Sequence, residues 1–145
     1  PIGAIAGVRL INDSKATSPA ATLAALRSVS GPIVLLLGGR SKKGGYDDLA
    51  RGLRGFDVRA VILFGEARDE VALHLRAEGV EFVATADLEA AVAAGLAAAR
   101  PGDALLFSPA CSSFDAFAGY EERGEAFTRD CERRPEFAPS RPKDL

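Results

Sequence analysis

The chain has 145 residues, 48% of them hydrophobic and 26% charged, with a formal net charge of −2. That size and balance fit one domain around a single packed core, and the slight negative charge supplies no overall basic field of the kind that draws nucleic acid. No apolar run reaches membrane-spanning length, and the opening Pro1-Ile2-Gly3-Ala4-Ile5 lacks the charged and long apolar regions of a signal peptide. Cys111 and Cys131 have neither metal-finger nor C-x-x-C spacing, so reduced thiols in a cytoplasmic protein are expected. The first residue is Pro1 rather than Met, and a piece of a longer protein is therefore expected.

In chain order, Val8 to Ile11 reads as a strand. Ser18-Pro19 then offers an N-cap hydroxyl with proline at the first helical position, which predicts a helix to about Val29. The run Ile33-Val34-Leu35-Leu36-Leu37 has the unbroken apolar character of a strand buried on both faces, and it stops at Gly38-Gly39. After the polar loop Arg40 to Gly45, the spacing of Tyr46, Leu49 and Leu53 predicts a helix. Val58 to Phe64 is the next strand, Glu66 to Glu78 a helix, Val80 to Val83 a short strand and Ala86 to Ala99 an alanine-rich helix. Ala104 to Phe107 is the last clear strand. From Phe114 to about Arg133 the pattern predicts a long amphipathic helix capped by Ser112 or Ser113. The stretch 135–145 carries Pro135, Pro139 and Pro142 with little apolar content, and is expected to be an extended or disordered tail beside a domain of residues 1–134.

Strands alternating with helices at these lengths specify a single α/β domain of Rossmann-like form, a mostly parallel sheet with helices on both faces. In such sheets ligands bind beyond the carboxyl ends of the strands, which gathers the loops Asn12 to Ser18, Gly38 to Gly45 and Ser108 to Ser113 at one crevice. Each loop carries groups able to hold an anion. The glycine loop is not a Walker A motif, since position 45 is glycine where that motif needs lysine, and no G-x-G-x-x-G is present. Taken singly, each feature has an ordinary explanation: solvated lysines, a turn aspartate, serine caps. Their coincidence at one sheet edge, opening onto helix N-termini, favours a site. His74 has no second histidine or nearby cysteine and is read as structural or exposed, so no metal site is expected.

Three segments together resemble a known family: Val8-Arg9-Leu10-Ile11-Asn12-Asp13-Ser14-Lys15-Ala16-Thr17, then Leu35-Leu36-Leu37-Gly38-Gly39 with a lysine shortly after, then Leu106-Phe107-Ser108-Pro109-Ala110-Cys111-Ser112-Ser113-Phe114-Asp115 with Glu122-Arg123-Gly124. They resemble the C-terminal domain of the Mur ligases, in order from about Gly7 to Arg133. Asp13-Ser14-Lys15-Ala16-Thr17 matches the branch that adds D-glutamate to UDP-N-acetylmuramoyl-L-alanine in peptidoglycan synthesis, whereas sibling ligases tend to carry an aspartate-tyrosine-alanine-histidine type of loop there. The resemblance implies an ADP-forming amide ligase of three domains, of which this is the last. ATP and Mg2+ would be bound mainly by the central domain, and this fragment alone would be inactive. In that family ATP phosphorylates the sugar-linked carboxylate, and the amine of D-glutamate displaces phosphate from the acyl phosphate.

Carried over onto this sequence, the resemblance gives Lys42 a D-glutamate carboxylate, with Thr17, Ser113 and the chain near Phe114 and Tyr120 holding the same amino acid. Asp13 and Lys15 would face the nucleotide, the lysine toward the transferring phosphate as a catalytic cation. Lys43 adjoins Lys42, and the ungapped spacing from Gly38-Gly39 to Tyr46 and Leu49 favours Lys42. The family commonly has phenylalanine where Tyr120 stands. The alternatives are another Mur-type or polyglutamate ligase domain, or a non-catalytic Rossmann-like binding module whose lysine loop meets an acidic partner.

Overall fold

In the computed structural model, which describes residues 1–142, five helices cover the two faces of one seven-stranded sheet. The strands are β1 (Gly3–Ile5), β2 (Val8–Asn12), β3 (Ile33–Gly38), β4 (Val58–Phe64), β5 (Val83–Ala84), β6 (Ala104–Phe107) and β7 (Phe137–Pro139). They lie in the order β5-β4-β3-β6-β2-β1-β7. Neighbours from β5 to β2 are parallel, while β1 pairs antiparallel with both β2 and β7.

The helices are α1 (Pro19–Ser28), α2 (Tyr46–Leu53), α3 (Arg68–Ala77), α4 (Leu88–Ala98) and α5 (Tyr120–Glu132). The two-residue period of a strand sorts the continuous apolar runs between the layers. Ile33, Leu35, Leu37, Val61 and Leu63 pack with Leu26 of α1, Leu49 and Leu53 of α2 and Val71 and Leu75 of α3. Val34, Leu36, Ile62, Phe64, Leu105 and Phe107 pack with Leu88 and Val92 of α4 and Phe127 and Cys131 of α5. The rings of Phe107 and Phe127 stack at 4.8 Å between centroids, anchoring α5 on the second face.

The mostly parallel, doubly covered sheet agrees with the sequence pattern, and so does the start of α1, where the Ser18 hydroxyl accepts the N–H of Ala21 at 3.3 Å with Pro19 in the first turn. Four elements differ. No strand is expected before Val8, yet Gly3–Ile5 form β1, antiparallel to β2. The short strand expected at Val80 to Val83 forms at Val83–Ala84. The helix expected from Phe114 starts instead at Tyr120: Gly119 is fully extended and the Glu122 carboxylate reaches back to the N–H of Ala118 at 2.7 Å. Ser112 and Ser113 therefore do not cap α5. The Ser113 carbonyl accepts from Ala116 and Phe117 in a single turn that goes no further. Finally, Phe137–Pro139 form β7 on the outer edge of β1, with the Ser140 N–H donating to Ile2 at 3.1 Å. The last three residues of the segment read as a tail lie outside the described residues. No helix among the described residues is long and apolar enough to cross a membrane.

Candidate functional site

The parallel strands β2, β3, β4 and β6 all end at one edge, and the loops beyond them are tied together by backbone bonds. The Asp13 N–H donates to Phe107 at 2.7 Å, Gly38 to Pro109 at 3.1 Å and Ala110 to Ala16 at 3.0 Å. Arg40 and Ser112 exchange both N–H···O bonds at 2.9 Å, a small antiparallel bridge between the glycine loop and the loop after β6. Gly39 makes this approach possible. Its φ is +135°, and a Cβ there would sit 2.2 Å from the Ser112 carbonyl oxygen. Gly45 lies against Pro19, which brings the glycine loop beside the start of α1.

The residues singled out from sequence all lie on this edge. Asp13 is half-buried, and its carboxylate accepts the Ser108 hydroxyl at 2.9 Å. Ser108 in turn bonds Thr22, which seats α1 against the β6 loop. Lys15 and Lys42 are exposed, and neither enters an ion pair among the described residues. Thr17 is half-buried. Ser113 is 1% exposed, and its hydroxyl is buried with no hydrogen-bond partner among the described residues. A buried hydroxyl left unpaired is uncommon and disfavoured, and it is the polar atom at this edge most in need of a partner. Phe114 and Tyr120 are 61% and 43% exposed, large apolar rings on an otherwise polar rim. Lys15 and Tyr120 line one open hollow of about 460 Å³ with Asn12, Ser14, Gly124 and Thr128.

Two residues that sequence reasoning did not select hold these loops in place. Arg123, the fourth residue of α5, is 1% exposed. Its Nε donates to the Ser14 hydroxyl at 3.0 Å, Nη2 to the Ser14 carbonyl at 2.6 Å and Nη1 to the Cys111 carbonyl at 2.9 Å. The Ser14 hydroxyl donates in turn to the Tyr120 carbonyl at 2.7 Å. Arg123 enters no ion pair among the described residues, and burial pulls its guanidinium down to about 10. It remains a cation at neutral pH, held by carbonyl dipoles and by the face of Phe107, 5.8 Å away.

The second residue is Tyr46, 2% exposed, whose hydroxyl sits between the glycine loop and Ala110. Ala110 itself is held in the left-handed region at φ +60°, a conformation disfavoured for alanine by roughly 1–2 kcal/mol. Its carbonyl and N–H are both engaged, which fixes it there. The Cys111 thiol beside Tyr46 is pushed up to about 11 by burial, so it stays protonated and is no nucleophile. Of these, Arg123 alone carried a sequence signal, through Glu122-Arg123-Gly124. Gly124 packs flush against Ser14 and Asn12, which lets α5 approach the β2 loop.

This edge can bind a small anionic molecule. It offers the exposed ammonium groups of Lys15, Lys42 and Lys43, a buried hydroxyl unpaired among the described residues and a carboxylate held by a serine, on loops that cross-brace one another. Among the described residues no group of three or more His, Cys, Asp or Glu could hold a metal ion.

The family model described as "Mur ligase, glutamate ligase domain" matches residues 1–111. A UDP-N-acetylmuramoylalanine–D-glutamate ligase of Rubrobacter xylanophilus is 51% identical over 125 residues, 85% of this chain and 28% of that protein. Proteins of the same name from Salinibacter ruber and Chlamydia abortus are 45% and 41% identical, over 84% and 83% of this chain and 26% and 29% of theirs. The chain thus spans between a quarter and a third of the length of these relatives. With most of its length matched by the family model and its strand-end loops braced at one sheet edge, the chain belongs to the Mur ligase glutamate-ligase-domain family.

Proposed function

We propose that this chain is the amino-acid-delivering domain of a cytoplasmic, ADP-forming ligase that joins D-glutamate to UDP-N-acetylmuramoyl-L-alanine. The observation that carries the reading is the 51% identity to a protein named for that ligation. Lys42 holds one D-glutamate carboxylate, and the unpaired hydroxyl of Ser113 finds its partner in the same amino acid, with Thr17, Phe114 and Tyr120 around it. Asp13 and Lys15 face ATP across the interface with the preceding domain, where an ammonium offsets charge developing on the transferred phosphate. These groups fit an anionic nucleotide and an acidic amino acid. Mg2+ receives no ligand from this chain in our reading and is held by the preceding domains. Closure of the domain brings the two substrates together and keeps water from the acyl phosphate, so the isolated chain is inactive.

The test is steady-state kinetics on the full-length ligase that carries this domain. ADP formation is expected to require D-glutamate. Lys42→Ala removes a charge-assisted hydrogen bond and is expected to raise the KM for D-glutamate about 10- to 100-fold. An unchanged KM overturns the assignment.

A further inference from the structure

We propose that Tyr46 is a positioning residue for amino-acid binding, its hydroxyl pinning the backbone of Lys42 to the loop that carries Ser113. The inference rests on the function proposed above. The Tyr46 hydroxyl accepts the Lys42 N–H at 3.1 Å and donates to the Ala110 carbonyl at 3.0 Å, with the Cys111 sulfur 3.3 Å away. A phenol has one proton to give and two lone pairs to fill. Here its partners come from the glycine loop on one side and the β6 loop on the other, three residues before Ser113. Burial raises the phenol far above its usual range, so it stays a donor at any working pH.

The need for such a post follows from the loop around it. An exposed lysine has a long, mobile stem and serves as a carboxylate ligand only if its backbone is fixed relative to the other contacts. Gly44 offers no packing, since a Cβ there would meet nothing within 4 Å. Lys43 is left-handed at φ +56°, and its N–H bonds the Ser41 hydroxyl within the same loop. Lys42 is thus the lysine whose backbone is bonded through a side chain to the Ser113 loop, while its neighbour is held only locally. Tyr46 also fills the core as an apolar ring, a role phenylalanine would serve equally, so the hydroxyl is separable from the packing.

The experiment compares the full-length ligase with its Tyr46→Phe, Lys42→Ala and Lys43→Ala variants, varying D-glutamate and ATP independently. Tyr46→Phe is expected to raise the KM for D-glutamate about 5- to 30-fold, with the KM for ATP unchanged. Lys43→Ala is expected to leave both unchanged. An effect of Lys42→Ala without one of Tyr46→Phe overturns the inference and leaves the proposed function standing. A null effect of Lys42→Ala removes the proposed function itself, and equal loss toward both substrates in Tyr46→Phe marks general loosening and overturns the positioning role. Should Tyr46→Phe fail to fold, hydrogen exchange in the unaltered enzyme decides: slow exchange at the Lys42 amide supports the tie, and exchange at the rate of the Lys43–Gly44 loop overturns it.

Discussion

The two ends of the sheet treat buried charge in opposite ways. At the amino end Asp103, 1% exposed, is fully satisfied: Arg59 donates to it from Nε and Nη2, and the Arg100 N–H adds a bond at 2.8 Å. Its backbone also receives Arg9 at 3.0 Å. At the carboxyl end Arg123 is equally buried but has no carboxylate partner, Ala110 is strained and the Ser113 hydroxyl has no hydrogen-bond partner, all among the described residues. One end is built for stability. The other carries unsatisfied polarity, the usual mark of a surface that a ligand completes.

This contrast can be broken by experiment. The largest effect is expected from Arg123→Met, which removes the brace joining the loops of Ser14 and Cys111. In the full-length ligase kcat/KM should fall about 100-fold or more, with the protein still folded at the assay temperature and a stability cost of about 1–3 kcal/mol from the orphaned Ser14 and Cys111 acceptors. Intact kcat/KM in the folded variant would erase the distinction between the two ends. Asp103→Asn should instead lower stability to urea by about 1–3 kcal/mol with kinetics intact, since it removes the buried carboxylate that Arg59 clamps.

A smaller effect lies in pH. The hydrogen bond from Arg59, opposed by burial and aided by the Arg100 N–H, holds the Asp103 carboxyl below the usual carboxylate range. The unfolded chain therefore binds a proton before the native one as pH falls. This stabilisation is whole above the usual carboxylate range and is lost as pH drops through the native value. In Arg59→Gln the native and unfolded values converge, and urea titrations across the acid range should show a shallower decline. The smallest effect is expected from Ser18→Ala, which removes the α1 cap at about 1 kcal/mol, read from chemical denaturation.

What was readable in the sequence had local causes. Ser18-Pro19 announces α1 by its own chemistry, and Ile33 to Leu37 declares a doubly buried strand because both faces demand apolar side chains. The elements that escaped depend on distant partners. β7 exists because the edge of β1 is there to receive it, and β1 is three residues long. The start of α5 moved from Phe114 to Tyr120 because Gly119 extends and Glu122 folds back, a choice that apolar spacing does not register. At the site, the loops were legible as loops. Arg123 entered only through the Glu122-Arg123-Gly124 resemblance, and its bracing role did not show, since a charged residue on an amphipathic helix ordinarily faces water. Tyr46 gave only its ring to the helical pattern, and the reach of its hydroxyl to Lys42 and Ala110 appears only in three dimensions.

The pairing of β7 with β1 sets Pro139 opposite Gly3 and Ser140 against Ile2. Segments 2–5 and 137–140 are thus neighbours, and a fold with that arrangement can be opened elsewhere and joined there. Gly79, exposed at φ +68° with open space where a side chain would stand, is the natural place for new termini, on the far side of the sheet from the braced loops. A circular permutant opened there would keep the order of contacts around Lys42, Ser113 and Arg123 while changing where a neighbouring domain can be attached. On the function proposed above, it would separate what the crevice does by itself from what it does because of a preceding domain.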